Sequence, residues 1–151
     1  LVYGPGVKAN FRRLLAWTRR SPVLPLGAAR APRSMVSLNN LVDFMGHAGQ
    51  RMNGYQVWTV KDDVSLSVCD LVKCLALLMD KSILLPNVPR SWLEKAAFLP
   101  GIGRVMGSLF DPFLIDDSDA RRTLAWRAPE SVIEALQKTV RWYLDQGSPL
   151  C

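Results

Sequence analysis

The sequence predicts an α/β fold that is mostly helical and carries only a few short strands. Three observations point there. Helical periodicity dominates: apolar residues recur every three or four positions, as in Val68, Leu71, Val72, Leu75, Leu78 and Met79. Runs rich in β-branched and aromatic residues are short, Tyr55–Val60 (Tyr-Gln-Val-Trp-Thr-Val) being the clearest. Strands and helices alternate, yet about three strands are too few for a doubly wound sheet standing alone. The 151 residues suffice for one domain with a sizeable core. The pattern is that of the closing portion of an α/β fold.

Each element has a local reason. Tyr3-Gly4-Pro5-Gly6 is a turn, because nothing periodic runs through Gly and Pro. Residues 8–18 form a helix with Phe11, Leu14, Leu15 and Thr18 on one face, ended by Ser21-Pro22. Val23–Leu26 is a short extended piece and 27–32 a loop. Arg33–Leu38 alternates as a strand, and Asn39 or Asn40 caps a helix to about Met45. A polar loop with three glycines, 46–54, precedes the strand Tyr55–Val60, and Lys61-Asp62-Asp63 turns the chain. Ser67-Val68-Cys69-Asp70 resembles a capping box ahead of the next helix. Residues 82–110 are irregular, with short helices over 91–98 and 103–109. Phe113–Ile115 is a short strand, and a helix runs from Asp116–Ser118 to about Trp126. Ser131-Val132-Ile133-Glu134 is a full capping box. Val132, Ile133, Leu136, Val140, Tyr143 and Leu144 form the stripe of the last helix, and Gly147 stops it.

Composition adds a second layer. Hydrophobic residues make up 49% of the chain and the mean hydropathy is +0.08, so some apolar surface is expected to belong against a partner. No segment nears the roughly 18 apolar residues of a membrane span. No secretory signal is visible, and the first residue is Leu1, so the chain is expected to begin inside a larger reading frame or to be processed. Cys69, Cys74 and Cys151 give an odd count without paired spacing, and His47 is the one histidine. A disulfide framework and a metal site are therefore disfavoured, and a reducing, cytoplasmic setting is expected. Charge is divided unevenly: residues 1–34 hold seven basic residues and no acid, whereas the remainder is −1. An anion site near the N-terminus follows. Aromatics do not interleave with these basic residues, so nucleic acid is the weaker partner. A stand-alone basic module for an acidic partner is the alternative.

Most chemistry-bearing patterns have a plain structural explanation. Gly101-Ile102-Gly103-Arg104-Val105-Met106-Gly107 fails as a dinucleotide fingerprint because its third glycine comes one place late and no strand precedes it. The pairs Asp62/Asp63 and Asp116/Asp117 sit where aspartates cap turns and helices. His47 lies in a polar loop without a visible partner. What remains is the stretch Lys8–Arg33. Its glycine turn feeds a helix N-terminus that favours anions, Asn10 adds an amide, and Arg33 follows a loop from which it could fork onto a diphosphate.

Several segments resemble extended short-chain dehydrogenases/reductases of the NAD-dependent epimerase/dehydratase family, which act on nucleotide sugars. They are Val2-Tyr3-Gly4-Pro5-Gly6, Lys8-Ala9-Asn10-Phe11, Pro25-Leu26-Gly27 and Arg33-Ser34-Met35-Val36-Ser37-Leu38-Asn39-Asn40-Leu41. Near the end, Asp116-Asp117-Ser118, Leu124-Ala125-Trp126, Pro129, Ser131 and Thr139-Val140-Arg141-Trp142-Tyr143 resemble the closing pattern of that family. The likeness runs through all of 1–151 and covers roughly the second half of a member. It is strongest to bacterial UDP-sugar 4-epimerases and 4-keto-sugar reductases of surface-polysaccharide synthesis.

The resemblance implies a C-terminal nucleotide-sugar-binding portion of a Rossmann-type fold, with the cofactor half lying N-terminal to it. NAD or NADP would be bound by the full-length parent, not by this chain alone. A UDP-sugar or other nucleotide sugar would be the substrate, with chemistry at C4. Lys8, Asn10, Phe11, Leu26, Gly27 and Arg33 would contact it, and Tyr3 would lie near the junction of cofactor and sugar. Many members carry an Asn, touching substrate, where this chain has Leu1, and Ala125 replaces the usual Gly. Arg104 is a second diphosphate candidate by proximity. Tyr3, Tyr55 and Tyr143 are followed four positions on by Val7, Thr59 and Gly147, so none begins the Tyr-x-x-x-Lys pair by which the family passes a proton. No catalytic residue is therefore expected in this chain, and none for metal. The chain alone is expected to be inactive, and to self-associate through the unpaired edge of Tyr55–Val60.

Overall fold

The computed structural model describes residues 1–51, 54–89, 91 and 111–146. Strand β1 (Val2–Tyr3) leads through the glycine turn into helix α1 (Ala9–Arg20). Phe11, Leu15 and Thr18 of α1 are buried and Leu14 partly so, as the three-to-four spacing requires. The helix stops where Ser21 turns extended before Pro22, its N–H still donating to the Trp17 carbonyl. Arg19 and Arg20 occupy the last turn, where cations suit the negative end of the helix dipole.

The single strand expected over Arg33–Leu38 is two short ones, β2 (Pro32–Arg33) and β3 (Val36–Ser37). The break has a local cause. The Ser34 N–H donates to the Phe113 carbonyl at 2.7 Å, and the Ser34 hydroxyl accepts from the Ile115 N–H at 3.0 Å. The chain therefore changes partners at that point. β3 runs parallel to β1, with Val2 opposite Val36 and Tyr3 opposite Ser37. β2 runs antiparallel to β4 (Leu66–Ser67), with Arg33 opposite Leu66. Phe113 and Val23, both expected to be extended, form isolated bridges with Arg33 and Leu84.

Helix α2 (Leu38–Arg51) runs well past Met45, through the residues expected to be a polar loop. A glycine in a helix costs about 1 kcal/mol relative to alanine. Tertiary anchors override that here: Phe44 and Ala48 are buried, and His47 and Arg51 both donate to the Leu124 carbonyl, at 3.0 and 2.7 Å. His47 is thus a helical residue with a partner, not an isolated loop histidine.

Tyr55–Val60 is not a strand. It is extended, but Tyr55 and Val57 are 91% and 74% exposed, while Trp58 and Val60 lean on Phe44 and Trp126. β-propensity reports fitness for a pleated, half-buried surface, and among the described residues no neighbouring strand supplies one. The Thr59 hydroxyl instead donates to the Asp116 carbonyl. With no ladder formed, the self-association expected through that edge loses its structural basis.

Helix α3 (Val68–Leu78) begins as expected: the Ser67 hydroxyl accepts from the Asp70 N–H at 3.1 Å and donates to its carboxylate at 2.7 Å. Helix α4 (Ser118–Leu124) ends two residues early, at Ala125, whose φ of 52° is left-handed. Helix α5 (Val132–Asp145) starts with the full capping box of Ser131 and Glu134. Its stripe differs in part: Ile133 and Leu144 are exposed, and Ala135 and Thr139 are buried instead. Ile133 and Leu144 directly follow Val132 and Tyr143, about 100° round the helix, which carries them off the packed face. The helix expected over 91–98, apart from Ser91, the helix expected over 103–109, the Gly101–Gly107 pattern, Arg104, Gly147 and Cys151 lie outside the described residues.

The main core joins three helices and β1. α3 packs against both α1 and α5. Between them lie Tyr3, Phe11, Leu15, Leu71, Leu75, Leu136 and Val140, each nearly inaccessible. Burying one such aliphatic side chain contributes about 1.5–3 kcal/mol. Leu24, Leu26, Ala29, Val68 and Val72 form a second cluster behind α3, and Phe44, Ala48, Ala120, Leu124 and Trp126 a third beneath α2. The fold is α/β and mostly helical, with few short strands, as the sequence predicts.

Candidate functional site

α1 presents two faces to the rest of the chain. Phe11 and Leu15 enter the core, and Phe11 stacks on Tyr3 with ring centres 5.5 Å apart. Asn10, Leu14 and Trp17 follow at spacings of four and three, a neighbouring strip on the same helix. That strip forms one wall of a cleft of about 320 Å³. The facing walls are Leu1, the segment Arg33–Ser34–Met35, Leu66, Val68, Leu71 and Phe113. The lining is mainly apolar, and its polar groups are supplied by Asn10, Arg33 and Ser34.

Arg33 is fixed on both sides. Its backbone pairs with Leu66 of β4, and Phe113 bridges it from the other flank. Its Nη1 donates to the Asp111 carbonyl at 2.9 Å, and its guanidinium lies 5.7 Å from the centre of the Phe113 ring. A guanidinium placed over an aromatic ring and tied to a carbonyl has its planar fork of donors restrained. Leu1 is tied to the same segment, since its carbonyl accepts the Val36 N–H at 3.0 Å. At the first turn of α1, Lys8 caps with no side-chain hydrogen bond, and no acidic residue sits there to compete with an anion. An apolar slot with an amide and a guanidinium at its margin suits a planar ring joined to an anionic group.

Of the residues singled out in the sequence, the fold brings Asn10, Phe11 and Arg33 to this cleft. Lys8 is exposed at the start of α1 and is not part of the lining. Leu26 is buried in the second cluster, behind Val68, with Leu14 and Trp17 between it and the cleft. Gly27 is pressed against the segment 85–87, where a Cβ would come within 2.2 Å of the Leu85 carbonyl oxygen. Neither Leu26 nor Gly27 is among the cleft's lining residues. Trp17 is a lining residue the sequence reading missed. Its spacing of seven from Asn10 was the available signal, because two helical turns return to nearly the same face.

Tyr3 lies in the core at 1% exposure, and its hydroxyl donates to Asp62 Oδ2 at 2.8 Å. Burial, reinforced by the Asp62 carboxylate, pushes its ionisation far above the ordinary tyrosine range. Asp62 is not a turn cap. It is buried and also accepts the Ser37 N–H and the Asn40 amide, at 3.0 and 2.8 Å. Asn40 in turn donates to the Glu130 carbonyl and accepts the Glu130 N–H. The other aspartates behave as anchors near α4. Asp116 accepts the Ser118 N–H, which holds its carboxyl below the usual range, and Asp63 and Asp117 both pair with Arg121.

A scan against protein-family models finds no match. The UDP-glucose 4-epimerase of Vibrio cholerae is 32% identical over 150 residues, covering 98% of this chain and 46% of that protein. Among solved structures, the UDP-glucuronic acid 4-epimerase of Bacillus cereus in complex with NAD superposes with a TM-score of 0.71 at 16% identity, over 97% of this chain and 43% of that one. The dTDP-glucose 4,6-dehydratase of Bacillus anthracis, also in complex with NAD, gives 0.70 at 14% identity, over 97% and 43%. The chain spans less than half the length of each of these relatives. The alignments run over nearly the whole of this chain, which fits the C-terminal part of an extended short-chain dehydrogenase/reductase of the NAD-dependent epimerase/dehydratase type.

Proposed function

We propose that residues 1–151 are the nucleotide-sugar-binding portion of an NAD(P)-dependent, cytoplasmic epimerase, dehydratase or reductase that acts at C4 of a UDP-sugar. The observation that carries this reading is the convergence of Asn10, Phe11 and Arg33 on one apolar cleft. In the proposal the base enters between α1 and the Leu66–Val68 wall. The diphosphate meets the Arg33 fork, where bidentate hydrogen bonds to phosphate oxygens are strongest. Leu1 replaces a polar contact with an apolar one beside it.

The proposal gives Tyr3 no direct contact with NAD(P). Tyr3, the side chain that the family likeness offers to the cofactor, is enclosed in the core with its hydroxyl committed to Asp62. The proposal assigns the cofactor to a Rossmann half equivalent to the length of the relatives that this chain does not span. Leu38, Val42 and Met45, exposed on one face of α2, and Val2 on β1 are the surface against which that half would pack. The task of residues 1–151 would be to hold the sugar in position for chemistry supplied from that half. On its own, this chain would turn over no nucleotide sugar.

Calorimetry with UDP-glucose tests the binding. Arg33→Ala is expected to lose about 1.5–3 kcal/mol, the value of a charged hydrogen bond. Arg33→Lys should recover only part, because an ammonium is a point charge without the planar fork. Unchanged affinity in Arg33→Ala would remove Arg33 from the site and with it the reading of the cleft.

A further inference from the structure

α1 carries more positive charge than the cleft consumes. Arg13 lies three residues after Asn10 and four before Trp17, and Arg20 lies three after Trp17. Residues at these spacings are neighbours on a helix surface, so Arg13 and Arg20 flank the strip that forms the cleft wall. Both are exposed, as is Lys8 at the foot of the same helix. Among the described residues no carboxylate forms an ion pair with Lys8, Arg13 or Arg20. Arg19, by contrast, turns back onto the Tyr143 ring at 5.9 Å and belongs to the packing of α1 on α5.

Folding accounts for only part of this arrangement: Arg20 suits the negative end of the α1 dipole, whereas Lys8 and Arg13 lie away from that end. An exposed row of like charges along a helix is mildly destabilising, and no acid sits in residues 1–34 to offset it. Asp62, Asp63, Asp116, Asp117 and Glu130 serve α2, α4 and the approach to α5, while Asp111 lies beside Arg33 at the cleft margin. The exposed Arg13 and Arg20 thus add positive charge beside the α1 strip that walls the cleft. Field lines from exposed charges at a low-dielectric cleft raise the local concentration of a counter-charged ligand and speed its capture.

We infer that Arg13 and Arg20, with Lys8, form an electrostatic guide that accelerates entry of a dianionic nucleoside-diphosphate ligand into the cleft without contacting it once bound. This inference rests on the proposed nucleotide-sugar reading of that cleft. It separates two roles: Arg33 grips the ligand and governs how long it stays, whereas the α1 strip governs how fast it arrives. Charges at a rim characteristically alter association and its salt dependence, and charges in a contact alter dissociation.

Stopped-flow binding of UDP-glucose, followed by tryptophan fluorescence, tests the inference because Trp17 lines the cleft. At low ionic strength the double variant Arg13→Glu/Arg20→Glu should associate about ten-fold more slowly, with dissociation unchanged. The gap should close at about 1 M salt, where the screening length falls to about 3 Å. The milder Arg13→Gln/Arg20→Gln should shift association in the same direction by less, and it serves if the reversal disturbs folding. Arg127→Glu/Arg141→Glu makes the same change in net charge at exposed positions that do not line the cleft, and should slow association less than two-fold. Equal slowing in the strip and control variants, unchanged association in the strip variants, or an effect confined to dissociation would each overturn the guide while leaving the cleft intact. Failure of the unaltered protein to bind UDP-glucose would instead overturn the reading of the cleft on which the guide depends.

Discussion

The Tyr3 hydroxyl reaches Asp62 Oδ2 across 59 positions of sequence, at 2.8 Å, with both side chains only 1% exposed. The same carboxylate holds the Ser37 N–H at the head of α2 and the Asn40 amide. One buried anion thus joins β1, β3 and α2. Asp62→Ala would strand three donors at once and should cost about 3–5 kcal/mol of unfolding free energy, the range seen when one member of a buried charged network is removed. Tyr3→Phe removes one donor and keeps the ring on Phe11, so about 1–2 kcal/mol is expected. Denaturant titration of both variants checks the ranking, and equal small losses would show that the network is solvated. The same bond sets an alkaline limit. Tyr3 ionises in the folded chain well above the ordinary tyrosine value of 10.0, so its contribution is complete below that pH and is lost as the solution becomes more alkaline. Tyr3→Phe should show a shallower loss of stability above pH 10 than the unaltered chain.

Gly27 and Gly46 should respond in opposite directions to alanine. A Cβ at Gly27 would meet backbone and side-chain atoms of Leu85, Pro86 and Asn87 at 2.2–2.9 Å, so Gly27→Ala must displace that segment. A loss of about 2–3 kcal/mol is expected, typical of overpacking. Gly46 sits inside α2 with nothing within 4 Å of its added Cβ. Gly46→Ala should therefore gain about 0.5–1 kcal/mol through helix propensity. Thermal unfolding of the pair distinguishes close approach from backbone freedom as the reason for each glycine.

Ala125 closes α4 at a φ of 52°, a conformation that a side chain makes costly. Ala125→Gly should raise stability by up to about 1 kcal/mol, since glycine reaches this region without a Cβ clash. A fall in stability would mean that the alanine methyl packs usefully despite the strained backbone.

Ser67→Ala should cost about 1 kcal/mol, the usual value of a helix N-cap. Its pH signature is specific. The Ser67 hydroxyl, with help from Lys73, holds the Asp70 carboxyl below its ordinary value of 3.8. A depressed carboxylate contributes stability that is present above its unfolded value and is lost as pH falls through the folded one. The unaltered chain should therefore lose this increment on acidification below about pH 4, and the difference between Ser67→Ala and the unaltered chain should narrow there. A gap that stays constant through acid would assign the cap to the N–H bond alone.

Caps and stripes were legible in the sequence because they are local. Ser67, Ser131 and the Val68–Leu75 face depend on residues within two turns of one another, and the structure reproduces them. Tyr55–Val60 failed because strand formation is a statement about neighbours, and its neighbour is Asp116 through a side chain. α2 was read too short because Gly46 and Gly49 weigh against a helix locally, while Leu124, more than 70 positions away, holds its last turns. Asp62 looked like a turn residue for the same reason: nothing near it in sequence reveals that Tyr3 and Asn40 converge on it. At the candidate site, Asn10 and Arg33 were visible by chemical type. Trp17 and Phe113 were not, since the cleft exists only once β2 has been set between β4 and the 111–115 segment.

The pair of donors from His47 and Arg51 to the Leu124 carbonyl gives α4 an unusual dependence. A helix of seven residues is far too short to persist by its own hydrogen bonds. The terminal Leu124 carbonyl is satisfied from the last two turns of α2, and Ala120 and Leu124 pack on Phe44 and Ala48 of that helix. The two helices should consequently open as one cooperative unit, so that amide protons of α4 exchange with solvent at the free energy of α2's C-terminal turns. Loosening α2 by Arg51→Ala should deprotect residues 118–124 together, in a mass-resolved deuterium experiment, while leaving α5 unchanged. The end of α2 would then be the place from which disorder spreads first across the Asp63–Arg121 side of the molecule.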